Sequence, residues 1–193
     1  MLDFFRVICL CHDVTRVKNA KGESFLTGPS QDELCLLEMC KNAGMAEFID
    51  RNSTFLTIKV NGKVEEYRAI KFFDFTSARK MMTRVVQNTE TGKLFVISKG
   101  ADQAILSRCI PRLTLIKREN HRSIRDQGKL EELDDEEMDV VNKIEMFAAQ
   151  GFRTLTFAMK ELDDSEWQDG DYTQEEIESC YSLLGATCVE DLL

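Results

Sequence analysis

The stretch Phe55-Leu56-Thr57-Ile58-Lys59-Val60-Asn61-Gly62-Lys63-Val64-Glu65-Glu66-Tyr67-Arg68-Ala69-Ile70 decides the fold class. Two runs rich in β-branched and aromatic residues, 55–60 and 64–70, flank Asn61-Gly62, a dipeptide that adopts positive φ readily and so suits a tight hairpin turn. Residues 81–87 and 94–98 repeat the strand pattern and are joined by 88–93, where Gly92 supplies the turn. Four antiparallel strands follow from these local signals alone.

Upstream of this block, residues 2–10 read as an amphipathic helix and 15–18 as a short strand, followed by the turn formers Asn19, Gly22, Gly28 and Pro29. A second helix is expected over 31–43. Ser30 and Glu33 form the ends of a Ser-x-x-Glu capping box, Leu36, Cys40 and Ala43 make an apolar stripe, and Gly44 is placed to stop the helix.

Downstream, 100–108 predicts a short helix with Ala104, Ile105 and Leu106 inward, ended before Pro111. A basic run from Arg112 to Arg125 gives way to an acidic run from Glu131 to Asp139. The acidic residues suit a helix N-terminus, and Val140, Ile144 and Phe147 carry the stripe of that helix up to Gly151. A strand over 152–159, a loop over 163–172, a helix over 174–180 and a strand over 183–189 complete the pattern. The expected fold is α/β in the broad, α+β sense: a twisted, mainly antiparallel sheet flanked by helices, with the N- and C-terminal segments running together.

The 193 residues suit a single domain, and 43% hydrophobic content with 12 Phe and 2 Pro supplies a core. A net charge of −9 opposes general binding to a polyanion, so nucleic acid is excluded as the main partner. Seven cysteines without paired spacings read as buried apolar residues in a reducing compartment. No apolar run approaches the ~20 residues needed to cross a bilayer, and the N-terminus does not read as a signal peptide.

The chain contains neither Gly-x-x-x-x-Gly-Lys-Ser/Thr nor Gly-x-Gly-x-x-Gly, so the two commonest phosphate cradles are missing. Cys9-x-Cys11-His12 lacks a second ligand pair, and buried thiols explain it better than zinc. Four segments instead put polar groups at strand ends or a helix start: Ser30-Gln31-Asp32-Glu33, Phe75-Thr76-Ser77-Ala78-Arg79-Lys80-Met81, Lys99-Gly100-Ala101-Asp102 and Gly151-Phe152-Arg153-Thr154-Leu155. Phe75 offers a stacking face, Gly100 permits close backbone approach, and Lys80, Lys99 and Arg153 supply charge for an adenine nucleotide. Each has a plainer reading as well. Glu33 suits the capping box, Phe75 suits a strand's core face, and Lys80 and Arg153 suit a solvent face.

In their order, these segments resemble the nucleotide-binding (N) domain of a P-type ATPase of the P4-type, phospholipid-flippase branch. Phe4-Phe5 with Cys11-His12, Ser30 to Glu33, Phe75 to Met82, the whole Lys-Gly-Ala-Asp at 99–102, Gly151 to Leu155, and Leu184 to Asp191 match its ordered motifs. Asp102, where cation pumps have proline, carries the subfamily. Gln31, Met81 and Phe152 depart from the proline, arginine and leucine of the pattern.

The resemblance implies that Phe75 stacks on adenine, Lys99 lines the adenine and ribose pocket, and Glu33 contacts the base edge. It also implies that Lys80 lies near the base or phosphates and that Arg153 pairs with a phosphate, with Ser77 and Asp32 as further candidates. The whole of 1–193 would then be a single cytosolic nucleotide-binding domain excised from a larger pump, with 184–193 beginning the return to the phosphorylation domain. The Asp-Lys-Thr-Gly bearing the phosphorylated aspartate and the magnesium-binding Gly-Asp-Gly-x-Asn-Asp are not in this chain. The domain is therefore expected to bind MgATP weakly and not to turn it over; its main metal ligands would lie elsewhere. Expected partners are ATP, the phosphorylation and actuator domains and an accessory β-subunit, at the cytosolic face of a membrane that the parent spans. The rivals are the N domain of a cation pump and a non-enzymatic protein-interaction module using 112–139.

Overall fold

The computed structural model describes residues 1–109, 135–162 and 172–190. The expected hairpin is its organising feature. β4 (Phe55–Val60) and β5 (Lys63–Phe73) meet with Val60 opposite Lys63, and Asn61 and Gly62 both take positive φ, 47° and 84°. The chain continues as a meander through β6 (Met81–Asn88), β7 (Leu94–Gly100), β8 (Arg153–Leu162) and β9 (Ser182–Val189). With β3 (Ala46–Arg51) on the other edge, the described residues form a seven-stranded sheet in the order β3-β4-β5-β6-β7-β8-β9, every neighbouring pair antiparallel.

Helices cover both faces because β6 and β7 are apolar on both. On one face α1 (Leu2–Leu10) and α2 (Gln31–Asn42) bury Val7, Ile8, Leu10, Leu36 and Leu37 against Met82, Val86, Ile97 and Phe157. On the other, α3 (Asp102–Cys109) and α5 (Gln174–Ile177) bring Ile105 and Ile177 onto Met81, Val85, Val96 and Ala158. Each such side chain contributes about 1.5–3 kcal/mol by leaving water. Helix α4 (Asp135–Ala149) packs over β8 and β9 through the buried Ile144. The first helix meets the last strand where the Phe4 ring would come within 3.3 Å of a Cβ on Gly185. The N- and C-terminal segments therefore lie side by side.

Several boundaries differ from the sequence reading. The strand at Thr15–Lys18 (β1) has an unforeseen partner, β2 (Ser24–Thr27), paired across the turn at Gly22, and β3 was also unforeseen. Both are four- to six-residue strands whose pairing depends on tertiary contact rather than on a strong local run. β5 runs on to Phe73 by means of a bulge between Ala69 and Lys71. In α2 the inward stripe passes through Leu37, and Ala43, beyond the last helical residue, is exposed. The helix expected over 174–180 stops at Ile177, and Cys180 takes a φ of 58°. Not every cysteine is interior: Cys9, Cys11 and Cys40 are buried, whereas Cys35 and Cys188 are exposed. The basic run at 112–125, the acidic residues 131–134 and the loop at 163–171 lie outside the described residues.

Candidate functional site

The candidate residues gather at the end of the sheet where β5 leaves, β6 enters, β7 leaves and β8 enters. Phe75, Ser77 and Lys80 lie in the seven-residue connection 74–80 between β5 and β6, not on a strand. Phe75 is consequently not a core residue: 59% of its surface is open to solvent. Ser77 and Lys80 are exposed as well. The connection is nonetheless ordered by hydrogen bonds. The Lys80 amide donates to the Thr76 carbonyl at 2.7 Å, the Arg79 amide to Thr76 Oγ1 at 3.2 Å, and the Arg79 guanidinium to the Asp74 carbonyl at 2.8 Å.

The same connection is stitched to the exit of β7. The Ala101 amide donates to the Lys80 carbonyl at 2.9 Å, and Gly100 pairs with Met81. A Cβ on Gly100 would lie 2.5 Å from the Lys80 oxygen and 2.6 Å from Met81 Cβ. The close backbone approach that Gly100 permits is therefore to the neighbouring strand.

Lys99, one residue before, is buried. Its Nζ donates to Glu33 Oε1 at 2.6 Å, with each side chain 8% exposed, and Glu33 Oε2 accepts from the Asp13 amide at 2.9 Å. Only half of the expected capping box exists. Ser30 Oγ accepts from the Glu33 amide at 3.4 Å, but the Glu33 carboxylate turns inward to Lys99 instead of back to Ser30. A capping box does form at the start of α5, between the N-cap Thr173 and Glu176.

Asp32, beside Glu33, accepts from Arg153 at 2.8 and 3.1 Å, and Arg153 remains about half exposed. Two cation–carboxylate pairs thus hold the first turn of α2 to the ends of β7 and β8. Behind β8, Asp102 accepts from Thr154 Oγ1 at 2.6 Å and Thr156 Oγ1 at 2.8 Å. Lys-Gly-Ala-Asp and Gly-Phe-Arg-Thr-Leu are therefore joined physically, with Arg153 at the first position of the clamped strand.

Beneath Lys99 lies a polar layer that the sequence did not announce. Arg84 donates to the His12 carbonyl at 2.5 Å and to Asp13 Oδ1 at 3.0 Å, and its guanidinium stands 4.4 Å from the centre of the Phe72 ring. Arg51 donates to the same carbonyl at 2.9 Å. His12 accepts from the Val14 amide at Nδ1, which leaves the proton on Nε2 to be donated to the Cys9 carbonyl at 2.9 Å. Burial, then the charges of Lys99 and Arg84, hold the His12 pKa well below its ordinary value, and burial pushes the Cys11 thiol up to about 11. Cys11 and His12 are thus a neutral, hydrogen-bonded part of the core, as the buried-thiol reading has it. Arg84 and Asp13 lie in none of the sequence motifs. Arg79 and Asp102 do lie in motifs, but nothing in a motif says which partner a side chain will find.

The family model for the P-type ATPase cytoplasmic domain N matches residues 1–193. The chain belongs to that family. Among similar proteins, Phospholipid-transporting ATPase ID from Homo sapiens is 32% identical over 99% of this N domain, and the protein of that name from Mus musculus is 33% identical over 99%. Phospholipid-transporting ATPase 2 from Arabidopsis thaliana is 28% identical over 100% of the chain. The N domain spans about one sixth of these relatives, 16–17% of their length. No helix among the described residues is long and apolar enough to cross a membrane.

Proposed function

We propose that this N domain binds MgATP by its adenosine end and presents the γ-phosphate to the aspartate of a separate phosphorylation domain, within an ATP-driven phospholipid flippase. The observation that carries the reading is the exposure of Phe75 on a connection fixed by hydrogen bonds and bonded to the exit of β7, at the end of the sheet where Lys99 pairs with Glu33 and β8 begins with Arg153. An aromatic ring held open to water on a rigid support suits a base face, since stacking contributes about 1–3 kcal/mol per base.

Each side chain then has a task that its surroundings support. Phe75 stacks on the base and Lys99, with its charge balanced by Glu33, lines the adenine and ribose pocket. Glu33 has both oxygens engaged, so its first task is to hold Lys99 in place and to present a carboxylate edge to the base. Arg153 reaches the phosphates by sharing or leaving Asp32, and Lys80 and Ser77 border the entrance. Arg is suited to that exchange because its planar fork engages carboxylate and phosphate alike.

Among the described residues no group of three His, Cys, Asp or Glu could hold a metal ion. In this reading magnesium arrives with the nucleotide as MgATP and offsets part of the phosphate charge. The chain contains no Asp-Lys-Thr-Gly, so the isolated domain binds without turnover. With one stack and a few half-exposed polar contacts, the dissociation constant should be high-micromolar to millimolar, about 4–6 kcal/mol. The names of the relatives support a phospholipid as cargo of the parent. We further propose that the parent sits in a membrane with this domain on its cytosolic face, and that the domain works with phosphorylation and actuator domains and an accessory β-subunit.

Calorimetric titration with MgATP, MgADP and MgGTP tests the reading. Saturable binding of both adenine nucleotides, with GTP at least about tenfold weaker, supports it; equal binding of GTP, or none of ATP into the millimolar range, contradicts it.

A further inference from the structure

Arg79 touches none of the candidate nucleotide-binding side chains, yet its own side chain ties the 74–80 connection to a distant part of the chain. From the end of the 74–80 connection its guanidinium donates back to the Asp74 carbonyl at 2.8 Å, closing the segment that contains Phe75 into a ring. The other terminal nitrogen donates at 2.6 Å to Oε1 of Glu178, 99 residues away, just after α5. Glu178 is 3% exposed, and its second oxygen accepts from Gln174 Nε2 at 3.2 Å. A buried carboxylate in such a place is costly unless it is paired, so Glu178 fixes where the guanidinium must sit. The ring of Phe73, 6.0 Å from that guanidinium, borders it at the strand end.

We infer that the Arg79–Glu178 pair is a positioning device for the base-stacking connection: it pins 74–80 to the α5 segment so that the Phe75 ring is held ready for a nucleobase. This rests on the nucleotide reading of the site. The physical gain is pre-organisation. An exposed phenyl on a loose seven-residue connection must be ordered when the base arrives, at a cost taken out of an already weak affinity. Arg79, with two donors in a rigid fork, removes that cost in a way that lysine, with one compact charge, does not reproduce.

The test uses the whole chain and two measurements. Removing Arg79 alone leaves the Glu178 carboxylate buried and unpaired and endangers the fold, so the main variant is Arg79→Met with Glu178→Leu, accompanied by Arg79→Lys. In the double variant the melting temperature should stay near that of the wild type, while the amides of Arg79 and Lys80 exchange with solvent at least about tenfold faster. The dissociation constants for MgATP and for adenosine should both rise by the same factor, about five- to tenfold, since the base end alone is loosened. Arg79→Lys should fall between, and on a Phe75→Ala background the double variant should add nothing further. Unchanged amide exchange, or unchanged affinity for adenosine in a folded variant, overturns the inference. A wild type that binds no nucleotide overturns it together with the nucleotide reading; a wild type that binds and variants that bind equally well overturn it alone.

Discussion

The Lys99 ammonium and the Glu33 carboxylate meet at 2.6 Å inside the domain, joining the end of β7 to the first turn of α2 across 66 residues. Removing one partner of a buried pair strands the other charge and costs about 3–5 kcal/mol, whereas replacing both by apolar groups is far milder. Glu33→Ala and Lys99→Ala should each lower the unfolding free energy by about that amount in urea titrations. Glu33→Leu combined with Lys99→Met should recover most of it and still fail to bind MgATP. Recovery of both stability and binding would deny the pair a part in the site.

Phe75 separates binding from folding in the opposite sense. With most of the ring already in water, Phe75→Ala should leave the thermal midpoint within about 1–2 °C of the wild type, as for surface substitutions generally. Nucleotide affinity should fall about tenfold or more, the loss of one stack. A large drop in midpoint would place the ring in the core instead.

Gly100 predicts a purely structural defect. A methyl group there meets the Lys80 carbonyl and Met81 in the adjoining strand, both backbone-anchored. Gly100→Ala should cost about 1–3 kcal/mol of stability through forced separation of β6 and β7, read by denaturant unfolding.

His12 sets a pH dependence. Its folded-state pKa is depressed, by burial first and then by Lys99 and Arg84. Below the unfolded value of about 6.5 the unfolded chain takes up a proton that the folded chain refuses, so stability falls as pH falls through that value, by up to about 1.4 kcal/mol per pH unit. Glu65, whose pKa Arg6 holds below the carboxylate norm, adds its own loss only as pH drops below about 4.5. Unfolding free energies at pH 7.5 and 5.5 should therefore differ in the wild type and hardly at all in His12→Gln.

The sheet was legible because its strands announce themselves locally: Asn61-Gly62 and Gly92 fix two turns, and β6 and β7 are apolar runs. β2 and β3 were not legible, being short strands completed by their neighbours. At the site, residue types were legible and pairings were not. Glu33 reads as a cap because Ser30 lies three residues before it, and only the arrival of Lys99 from β7 draws its carboxylate inward. Phe75 reads as core by strand alternation, because the end of β5 at Phe73 is decided by tertiary pairing. Arg84 is likewise a cation within an apolar run, made tolerable by the His12 carbonyl and Asp13 folding over it.

The most direct measurement is an amide chemical-shift titration of the domain with MgATP. The account predicts saturable shifts clustered at 74–80 and 99–101, at Glu33 and at Arg153, with those at 74–80 lost in Phe75→Ala. Shifts confined to other parts of the sheet, or a pattern that Phe75→Ala leaves unchanged, would contradict it.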